Sequence, residues 1–362
     1  MLSLPDRLRA RIQSEGAITF HDFMAAALYD EQAGYYCGER QRWGREGDYR
    51  TSPERSALFA ATFANYFSRR FRQLGSPASW VVFEAGAGSG EFAEGVLETL
   101  QRRAPEVFRA TRYVIDELSP TSREMAAARL GRFGSQVEFA RLADLDRIPI
   151  GVIFSNELLD AFPVHRVTVR SGKLAEFFVD INEAGTFEWR IQEPSTPDLE
   201  NYFAGLPHIL EEGQSAEVNL GAREWIRAAG EKLTRGFLVT VDYGNTAAEL
   251  LSSSIRPQGT LRGFSRHQFI EDLLAAPGGH DITSSVNWSV IMQTGVSVGL
   301  ETVTFERQDH FLMSEGLLDE LELRVSESAD EAEKLRLRTG CRELILPDGM
   351  AASFQVLVME KL

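Results

Sequence analysis

The sequence predicts an α/β protein built on a doubly wound, mostly parallel seven-stranded sheet, with an N-terminal helical cap and a β-rich insertion. Two observations predict this fold. After Trp80, short apolar runs alternate with helical segments, and such runs are typical of strands buried on both faces of a parallel sheet. The chain has 362 residues, of which 43% are hydrophobic, so it is long enough to bury the core that such a sheet requires.

The N-terminal cap, residues 1–75, is predicted to be mainly helical. The stretch from Ser56 to Leu74 carries apolar residues at three- and four-residue spacing, and Ile18 leads into an alanine-rich segment. Residues 34–54 between them are rich in glycine, aromatic and polar residues, a composition that is too irregular for a helix. Because a long loop inside a compact domain is often functional, this loop is a candidate part of a site.

The sheet domain is predicted to comprise residues 76–164 and 235–362. Five apolar runs are predicted parallel strands, separated in the first half by helices at Glu91 to Arg103 and Thr121 to Leu130. Two further strands are predicted towards the C-terminus. The seven runs are Trp80 to Phe83, Tyr113 to Ile115, Val137 to Phe139, Ile150 to Phe154, Phe237 to Val241, Glu301 to Phe305 and Phe354 to Met359.

The insertion, residues 165–234, breaks this rhythm. Its segments Val167 to Val169, Leu174 to Val179 and Thr186 to Ile191 alternate like antiparallel strands, and glycine-containing turns join them. A helix from about Arg223 to Leu233 then returns the chain to the sheet.

Charge, cysteine content and hydropathy disfavour several classes of function. Lys and Arg number 38 and Asp and Glu 53, and the resulting net charge of −15 repels nucleic-acid phosphates. Two cysteines, Cys37 and Cys341, and six scattered histidines indicate neither a metal site nor a disulfide framework. No apolar run is long enough to span a membrane, and the N-terminus lacks the features of a secretory signal, so we expect a cytoplasmic protein.

A glycine turn closes the first strand and opens the first helix of the sheet. Gly86, Gly88 and Gly90 permit left-handed backbone and let a ligand approach the bare chain, and the helix N-terminus offers free N–H donors. A dinucleotide-dependent oxidoreductase is one alternative. Its fingerprint, however, requires glycine or alanine where this chain has Glu91, whose carboxylate would repel a diphosphate.

Two acidic residues flank the glycine turn. Glu84 stands at the carboxyl end of the first strand, where it can lie near an ammonium group, and Glu117 ends the second strand, where it can accept both hydroxyls of a ribose. The pattern suits a ligand with a cationic amino-acid end and an uncharged nucleoside end. The alternative is a turn that only packs strand on helix, with Glu117 exposed.

The fourth strand ends in the segment Asn156 to Pro163, beside the first strand. Asn156 offers an amide oxygen, and Glu157 and Asp160 are predicted to lie one helical turn apart on one face. Two acids there can hold a guanidinium, whose planar fork matches carboxylates. The alternative is that Asn156 and Asp160 cap the helix that follows.

These residues resemble the MidA-like family of class I methyltransferases, which have a Rossmann-like fold and whose mitochondrial members are arginine methyltransferases that assist assembly of respiratory complex I. The similarity extends from about Ile18 to Gly299. Its specific pieces are the glycine turn with Glu84, Gly34-Tyr35-Tyr36, Gly47 to Pro53, Glu117-Leu118-Ser119-Pro120, Asn156 to Pro163, Asp242-Tyr243-Gly244, Gly259 to Arg262 and Asp281-Ile282-Thr283.

The resemblance implies S-adenosylmethionine as the methyl donor, a protein arginine as the acceptor, and therefore a protein substrate as the partner. It also implies that the loop around Asp48 and Thr51 covers the active site. The expected cofactor-binding residues are Glu84, Gly86, Gly88, Gly90, Glu117 and Asn156, and the expected catalytic residues are Glu157, Asp160 and Asp48.

One departure from the family's pattern motivates a second hypothesis. Where the family continues Ala-His-Val-Asp after Thr283, this chain has Ser284-Ser285-Val286-Asn287, so a candidate base or substrate contact is missing. The second hypothesis is an assembly or adaptor protein that binds the cofactor without turnover.

Overall fold

The computed structural model describes residues 2–37, 57–206, 210–265, 268–346 and 353–362. The N-terminal segment is mainly helical, as predicted. Ser3 and Thr19 begin its first two helices by accepting hydrogen bonds from the backbone N–H groups of Asp6 and Asp22. The elements are α1 (Leu4–Glu15), β1 (Ile18–Thr19), α2 (Phe20–Tyr29) and α3 (Ala57–Gln73).

The first part of the central sheet alternates strands and helices in the predicted order. Its two innermost strands, β2 and β5, are buried at almost every position, as expected for strands covered on both faces. The elements are β2 (Trp80–Ala85), α4 (Glu91–Arg103), α5 (Pro105–Ala110), β3 (Thr111–Asp116), α6 (Pro120–Leu130), β4 (Val137–Phe139) and β5 (Gly151–Asn156), with 3-10 helices at Gly131–Gln136 and Leu142–Asp144.

The insertion forms a separate antiparallel sheet, in agreement with its alternating pattern. Strand β1 of the N-terminal segment pairs with β7, so the N-terminal segment and the insertion share this sheet, whose order is β1-β7-β6-β9 with β8 on β7. The elements are β6 (His165–Arg170), β7 (Lys173–Ile181), β8 (Phe187–Gln192), α7 (Asp198–Tyr202), β9 (Ser215–Val218) and α8 (Leu220–Lys232).

The remainder of the chain adds the last strands of the central sheet and several elements that the sequence analysis did not predict. These include a three-stranded sheet, β12-β11-β13, and three helices before the final strand. The elements are β10 (Gly236–Asn245), α9 (Ala247–Leu250), β11 (Arg262–Ser265), β12 (Gln268–Ile270), β13 (Asp281–Thr283), β14 (Val286–Asn287), α10 (Trp288–Ser297), β15 (Glu301–Arg307), α11 (Gln308–Ser314), α12 (Leu317–Glu327), α13 (Glu331–Ile345) and β16 (Phe354–Lys361).

The central sheet is mostly parallel. Seven strands follow one another in the order β15-β16-β10-β5-β2-β3-β4, and among these β16 alone is reversed, running antiparallel to both β15 and β10. The prediction of an α/β fold with a mostly parallel sheet is confirmed. In the described part of the chain the sheet has eight strands where the sequence predicted seven, because Val286 and Asn287 of β14 pair with the end of β10.

Helices cover both faces of the central sheet. On one face, α3 and α4 bury aromatic side chains against the strands, and the rings of Phe92 and Phe154 stack with their centroids 4.3 Å apart. On the other face, α8 and α10 pack against Phe83 and Ile153. Within the described ranges, no helix has both the length and the apolar character that crossing a membrane demands.

Candidate active site

The glycine turn predicted from the sequence lies between β2 and α4. Gly86, Gly88 and Gly90 have φ angles of 69°, 54° and 80°, in the left-handed region that favours glycine. A Cβ atom at Gly86 would lie 3.0 Å from Leu158 Cδ1, so this turn is packed closely against the turn that follows β5. Glycine is therefore required at residue 86 for its backbone angles, and its lack of a side chain also relieves a close contact.

Glu117 lies beside the glycine turn, as the sequence analysis expected, and is bonded to it. Its Oε2 accepts the N–H of Gly88 at 2.7 Å, and its Oε1 accepts the N–H of Ser119 at 2.7 Å. Burial raises the pKa of Glu117, whereas these backbone donors lower it. Each carboxylate oxygen has a further lone pair, so Glu117 can fix the turn and still accept a ligand hydroxyl.

Glu84, the penultimate residue of β2, is buried with 4% of its surface exposed. Its Oε2 accepts the hydroxyl of Tyr113 at 2.6 Å. Burial raises the pKa of Glu84 to about 8, although the bond from Tyr113 opposes the rise and the charge of Glu117 adds to it. A buried carboxyl group of this kind is stabilised in its charged form by a cation placed beside it.

The segment after β5 forms a turn and not the predicted helix. Residues 157–164 contain bends and turns, so Glu157 and Asp160 are not one helical turn apart, and the capping alternative is also wrong because no helix follows. Glu157 has a φ of 51°, a left-handed conformation that is strained for a residue with a side chain. Asn156 donates its Nδ2 to Glu157 Oε1 at 3.1 Å, and its own Oδ1 is buried and accepts no hydrogen bond from the described residues.

Asp160 is buried in this turn, with 7% of its surface exposed. Its Oδ2 accepts the hydroxyl of Thr283 at 2.8 Å, and the Tyr243 hydroxyl contacts the same threonine oxygen. Burial raises the pKa of Asp160, whereas Tyr243, Thr283 and the positive charge of Arg262 lower it. Among the described residues, none donates a hydrogen bond to Asp160 Oδ1, which leaves a second buried acceptor in this turn.

Asp242, to which the sequence analysis assigned no role, holds this turn by its backbone. The residue is fully buried in β10, and its Oδ2 accepts the N–H groups of Leu158, Leu159 and Asp160 at 3.2, 2.9 and 3.3 Å. Burial raises the pKa of Asp242 well above its ordinary value, and the charges of Asp160 and Glu157 raise it further. The Asp242-Tyr243-Gly244 motif was the available signal, but nothing local in the sequence connects it to residues 158–160.

Tyr29, the last residue of α2, joins the N-terminal segment to this site. Its hydroxyl donates to the carbonyl oxygen of Ala161 at 2.9 Å. Burial raises its pKa well above the ordinary value, and the charges of Asp281, Asp160 and Glu117 raise it further. The charges of two predicted acids, Asp160 of this turn and Glu117 beside the glycine turn, thus both act on the phenol of Tyr29.

The predicted catalytic residue Asp48, together with Thr51, lies outside the described residues. The described chain just before that loop also reaches the site, since the hydroxyl of Tyr36 donates to Asp281 Oδ1 at 2.9 Å.

The segment Ser284 to Asn287, which departs from the family's pattern, is held in place by hydrogen bonds. Ser285 Oγ accepts Arg262 Nη2 at 3.2 Å, and Asn287 caps α10 by accepting the N–H of Val290 at 3.4 Å. Ser284 donates its N–H to the carbonyl oxygen of Asp160 at 3.2 Å. This segment therefore still contacts the turn after β5.

Glu91, whose charge argued against a diphosphate ligand, is paired. Its Oε1 lies 3.1 Å from Nη2 of Arg129, which also pairs with Glu94. The repulsion of a diphosphate by Glu91 is therefore weaker than the sequence alone suggested, and the distinction from a dinucleotide enzyme depends on other evidence.

Comparison with known proteins supplies that evidence. Residues 62–306 match the model of a family described as S-adenosyl-L-methionine-dependent methyltransferases. A crystal structure from Burkholderia thailandensis with bound S-adenosyl-homocysteine is 30% identical, covers 99% of this chain and 92% of its own, and has a TM-score of 0.86. The mitochondrial protein arginine methyltransferase NDUFAF7 of Homo sapiens is 26% identical over 96% of this chain and 81% of its own length, and the Drosophila melanogaster homolog is 26% identical over 99% and 84%.

These relatives correct one expectation and confirm another. The expected cytoplasmic location is wrong by this comparison, because the relatives named NDUFAF7 are mitochondrial proteins. The similarity that the motifs indicated is confirmed, and with it S-adenosylmethionine as the cofactor and methyl transfer as the reaction. The chain belongs to the family of S-adenosyl-L-methionine-dependent methyltransferases.

Proposed function

We propose that this protein methylates a guanidinium nitrogen of an arginine in a protein substrate. One observation carries the proposal. The turn after β5 holds a buried carboxylate, Asp160, whose Oδ1 has no donor among the described residues, and Asn156 at the start of the turn has a second such acceptor. Buried acceptors of this kind require donors, and a guanidinium supplies five in a fixed plane. The names of the relatives NDUFAF7 support the same acceptor.

The donor side is proposed to consist of the glycine turn and its two flanking acids. Gly86, Gly88 and Gly90 leave bare backbone, Glu117 accepts ribose hydroxyls, and Glu84 lies near the amino group of the cofactor. The buried Asn156 Oδ1 fits either the cofactor or the acceptor. These residues fit the cofactor because its positive charges compensate carboxyl groups that burial otherwise disfavours in ionised form.

The acceptor side is proposed to consist of Glu157 and Asp160, and Asp48, which lies outside the described residues, stays a predicted catalytic residue. When bound, S-adenosylmethionine supplies a methyl group to the acceptor nitrogen, which in turn releases a proton. Asp160 orients the guanidinium through Oδ1, which has no donor among the described residues, and can take up that proton, because burial already raises its pKa. Tyr29 closes α2 onto the turn and helps to exclude water.

The domain division that we propose follows the sequence boundaries. Residues 76–164 and 235–362 form the doubly wound class I sheet through seven consecutive strands, with β14 as an addition. Residues 1–75 form the N-terminal cap and residues 165–234 the insertion. The pairing of β1 with β7 supports grouping these two segments apart from the central sheet.

The test is turnover with matched peptides. The purified protein and isotope-labelled S-adenosylmethionine are incubated with peptides that differ only in arginine, lysine or citrulline at one residue, and products are identified by mass spectrometry. We expect methylation of the arginine peptide at more than ten times the rate of the others, because lysine lacks the planar fork and citrulline the charge. Cofactor binding without turnover on any acceptor would favour the adaptor hypothesis instead.

A variant pair sharpens the test. Asp160→Asn should lower kcat for the arginine peptide about 100-fold, or about 3 kcal/mol of transition-state stabilisation, with the cofactor dissociation constant unchanged within threefold. Asp309→Asn is the control, since Asp309 is similarly buried at 8% exposure but pairs with Arg307 outside the site. Equal losses in both variants would indicate a general effect on folding and not a role in the reaction.

A further inference from the structure

In the turn after β5, both the backbone N–H groups and the backbone carbonyl groups form hydrogen bonds to other parts of the chain. The N–H groups of Leu158, Leu159 and Asp160 all donate to one carboxylate oxygen, Oδ2 of Asp242, at 2.9 to 3.3 Å. The other oxygen of Asp242 accepts the N–H of Tyr243 at 2.8 Å, so both oxygens of this fully buried carboxylate are bonded to backbone.

The carbonyl groups of the same turn are held by three separate elements. Asn219, at the start of α8, donates to Leu159 O at 2.8 Å, the N–H of Ser284 after β13 donates to Asp160 O at 3.2 Å, and Tyr29 of α2 donates to Ala161 O at 2.9 Å. Each of these donors serves one carbonyl, whereas Asp242 serves three N–H groups. Loss of Asp242 would therefore free more of the turn's backbone than loss of any one of them.

The turn needs such a restraint because it is strained and carries the site. Glu157 has a φ of 51°, and non-glycine residues stay in that region only when their surroundings impose it. The two buried acceptors without a described donor, Asn156 Oδ1 and Asp160 Oδ1, lie at the two ends of the strained segment. Their relative position depends on the backbone that Asp242 fixes.

We propose that Asp242 is a positioning residue for the acceptor: it fixes the turn so that Asn156 and Asp160 meet one cationic group. This inference rests on the proposed function. The two oxygens of Asp242 accept four backbone N–H groups, which an amide with one oxygen could not do, but the negative charge of Asp242 is repelled by the nearby acids Asp160 and Glu157. The additional negative charge is compensated when a cation occupies the site, which links Asp242 to a positively charged acceptor.

The test separates positioning from stability. Asp242→Asn keeps an oxygen for the three N–H groups but removes the charge and places an NH₂ group against the N–H of Tyr243. We expect kcat for the arginine peptide to fall at least tenfold, while the cofactor dissociation constant, measured by calorimetry, changes less than threefold. Thr240→Val is the matched control, since Thr240 is also fully buried in β10 and its hydroxyl bonds Ser155 of β5 without contacting the turn. It should retain wild-type kcat.

Each outcome decides the proposal. If Asp242→Asn does not fold, Asp242→Glu, which keeps the charge but displaces the carboxylate by one methylene, should show the same division between kcat and cofactor affinity. Parallel losses of kcat and cofactor affinity, or an unchanged kcat, would overturn the positioning role in either variant. A wild-type protein that methylates arginine peptides keeps the proposed function whatever the variants do, whereas one that neither binds nor methylates them overturns both.

Discussion

Two neighbouring turns, 86–90 after β2 and 157–160 after β5, both adopt left-handed backbone angles but stabilise them in different ways. Both contain left-handed backbone at the carboxyl ends of paired parallel strands. The first uses glycines, which accept such angles without strain and leave backbone open to a ligand. The second uses Glu157 and depends on distant partners, chiefly Asp242, to hold it. The proposed donor side is thus encoded locally, and the proposed acceptor side by tertiary contacts.

The two turns are also packed together, so their roles are linked. Leu158 of the second turn packs against Gly86 of the first. A Cβ atom added at Gly86 would lie 3.0 Å from Cδ1 of Leu158. A side chain in the first turn would therefore disturb both the proposed cofactor surface and the turn after β5. This contact determines which substitution should have the largest effect.

Gly86→Val is expected to have that largest effect. A β-branched residue at a φ of 69° is strongly strained, at a cost of about 2–3 kcal/mol, and its side chain would press on Leu158. We expect cofactor affinity to fall roughly 100-fold by calorimetry. Gly185→Val is the control. Gly185 has a similar φ of 76°, but no atom of the described residues lies within 4 Å of a Cβ atom built there. Gly185→Val should lose some stability but no cofactor affinity, and equal affinity losses would contradict the assignment of the turn.

Glu84 provides a second, smaller test of the donor side. Its pKa is about 8 in the absence of ligand, so it is mostly protonated at pH 6.5, and an ammonium group beside it would lower that pKa. Binding should then release close to one proton at pH 6.5, and affinity should rise with pH between 6 and 7.5. Calorimetry in buffers of different ionisation enthalpy measures this release.

Glu84→Gln should abolish the proton release, because the amide has no proton to lose. Glu320→Gln is the control. It removes a similarly buried acid of α12, which pairs with Arg103 and Arg324, and it should keep the proton release. Unchanged release in Glu84→Gln would show that Glu84 does not meet the amino group of the cofactor.

The same contrast explains how much could be predicted from the sequence. Every strand of the seven predicted was found, and Glu117 does bond Gly88 of the glycine turn, because the strands and the turn are each marked by a local pattern and both acids stand at strand ends. The segment after Asn156 looked helical by its local pattern. Its N–H groups are instead taken by Asp242, 82 to 84 residues away in the chain, a contact that no local periodicity encodes.

The small sheet of β11 to β13 was missed for a related reason. The bond from Thr283 to Asp160 spans 123 residues, and the role of β13 in the site appears only when the chain folds. Tyr29 likewise shows no special pattern in α2, yet it donates to Ala161 from 132 residues away. Family motifs marked Thr283 and Asp242 but did not say what they touch.

The smallest expected effect tests the strain in the second turn directly. Glu157→Gly and Glu157→Ala both remove the carboxylate, but only glycine accepts a φ of 51° without strain. We therefore expect the glycine variant to have the higher free energy of unfolding, by about 1 kcal/mol in urea denaturation, despite the larger chain entropy that glycine gives the unfolded state. Both variants should lower kcat to a similar extent, because both lose the same side chain. If Glu157→Ala were as stable as Glu157→Gly, the turn would not be strained, and Asp242 would have no conformation to impose on it.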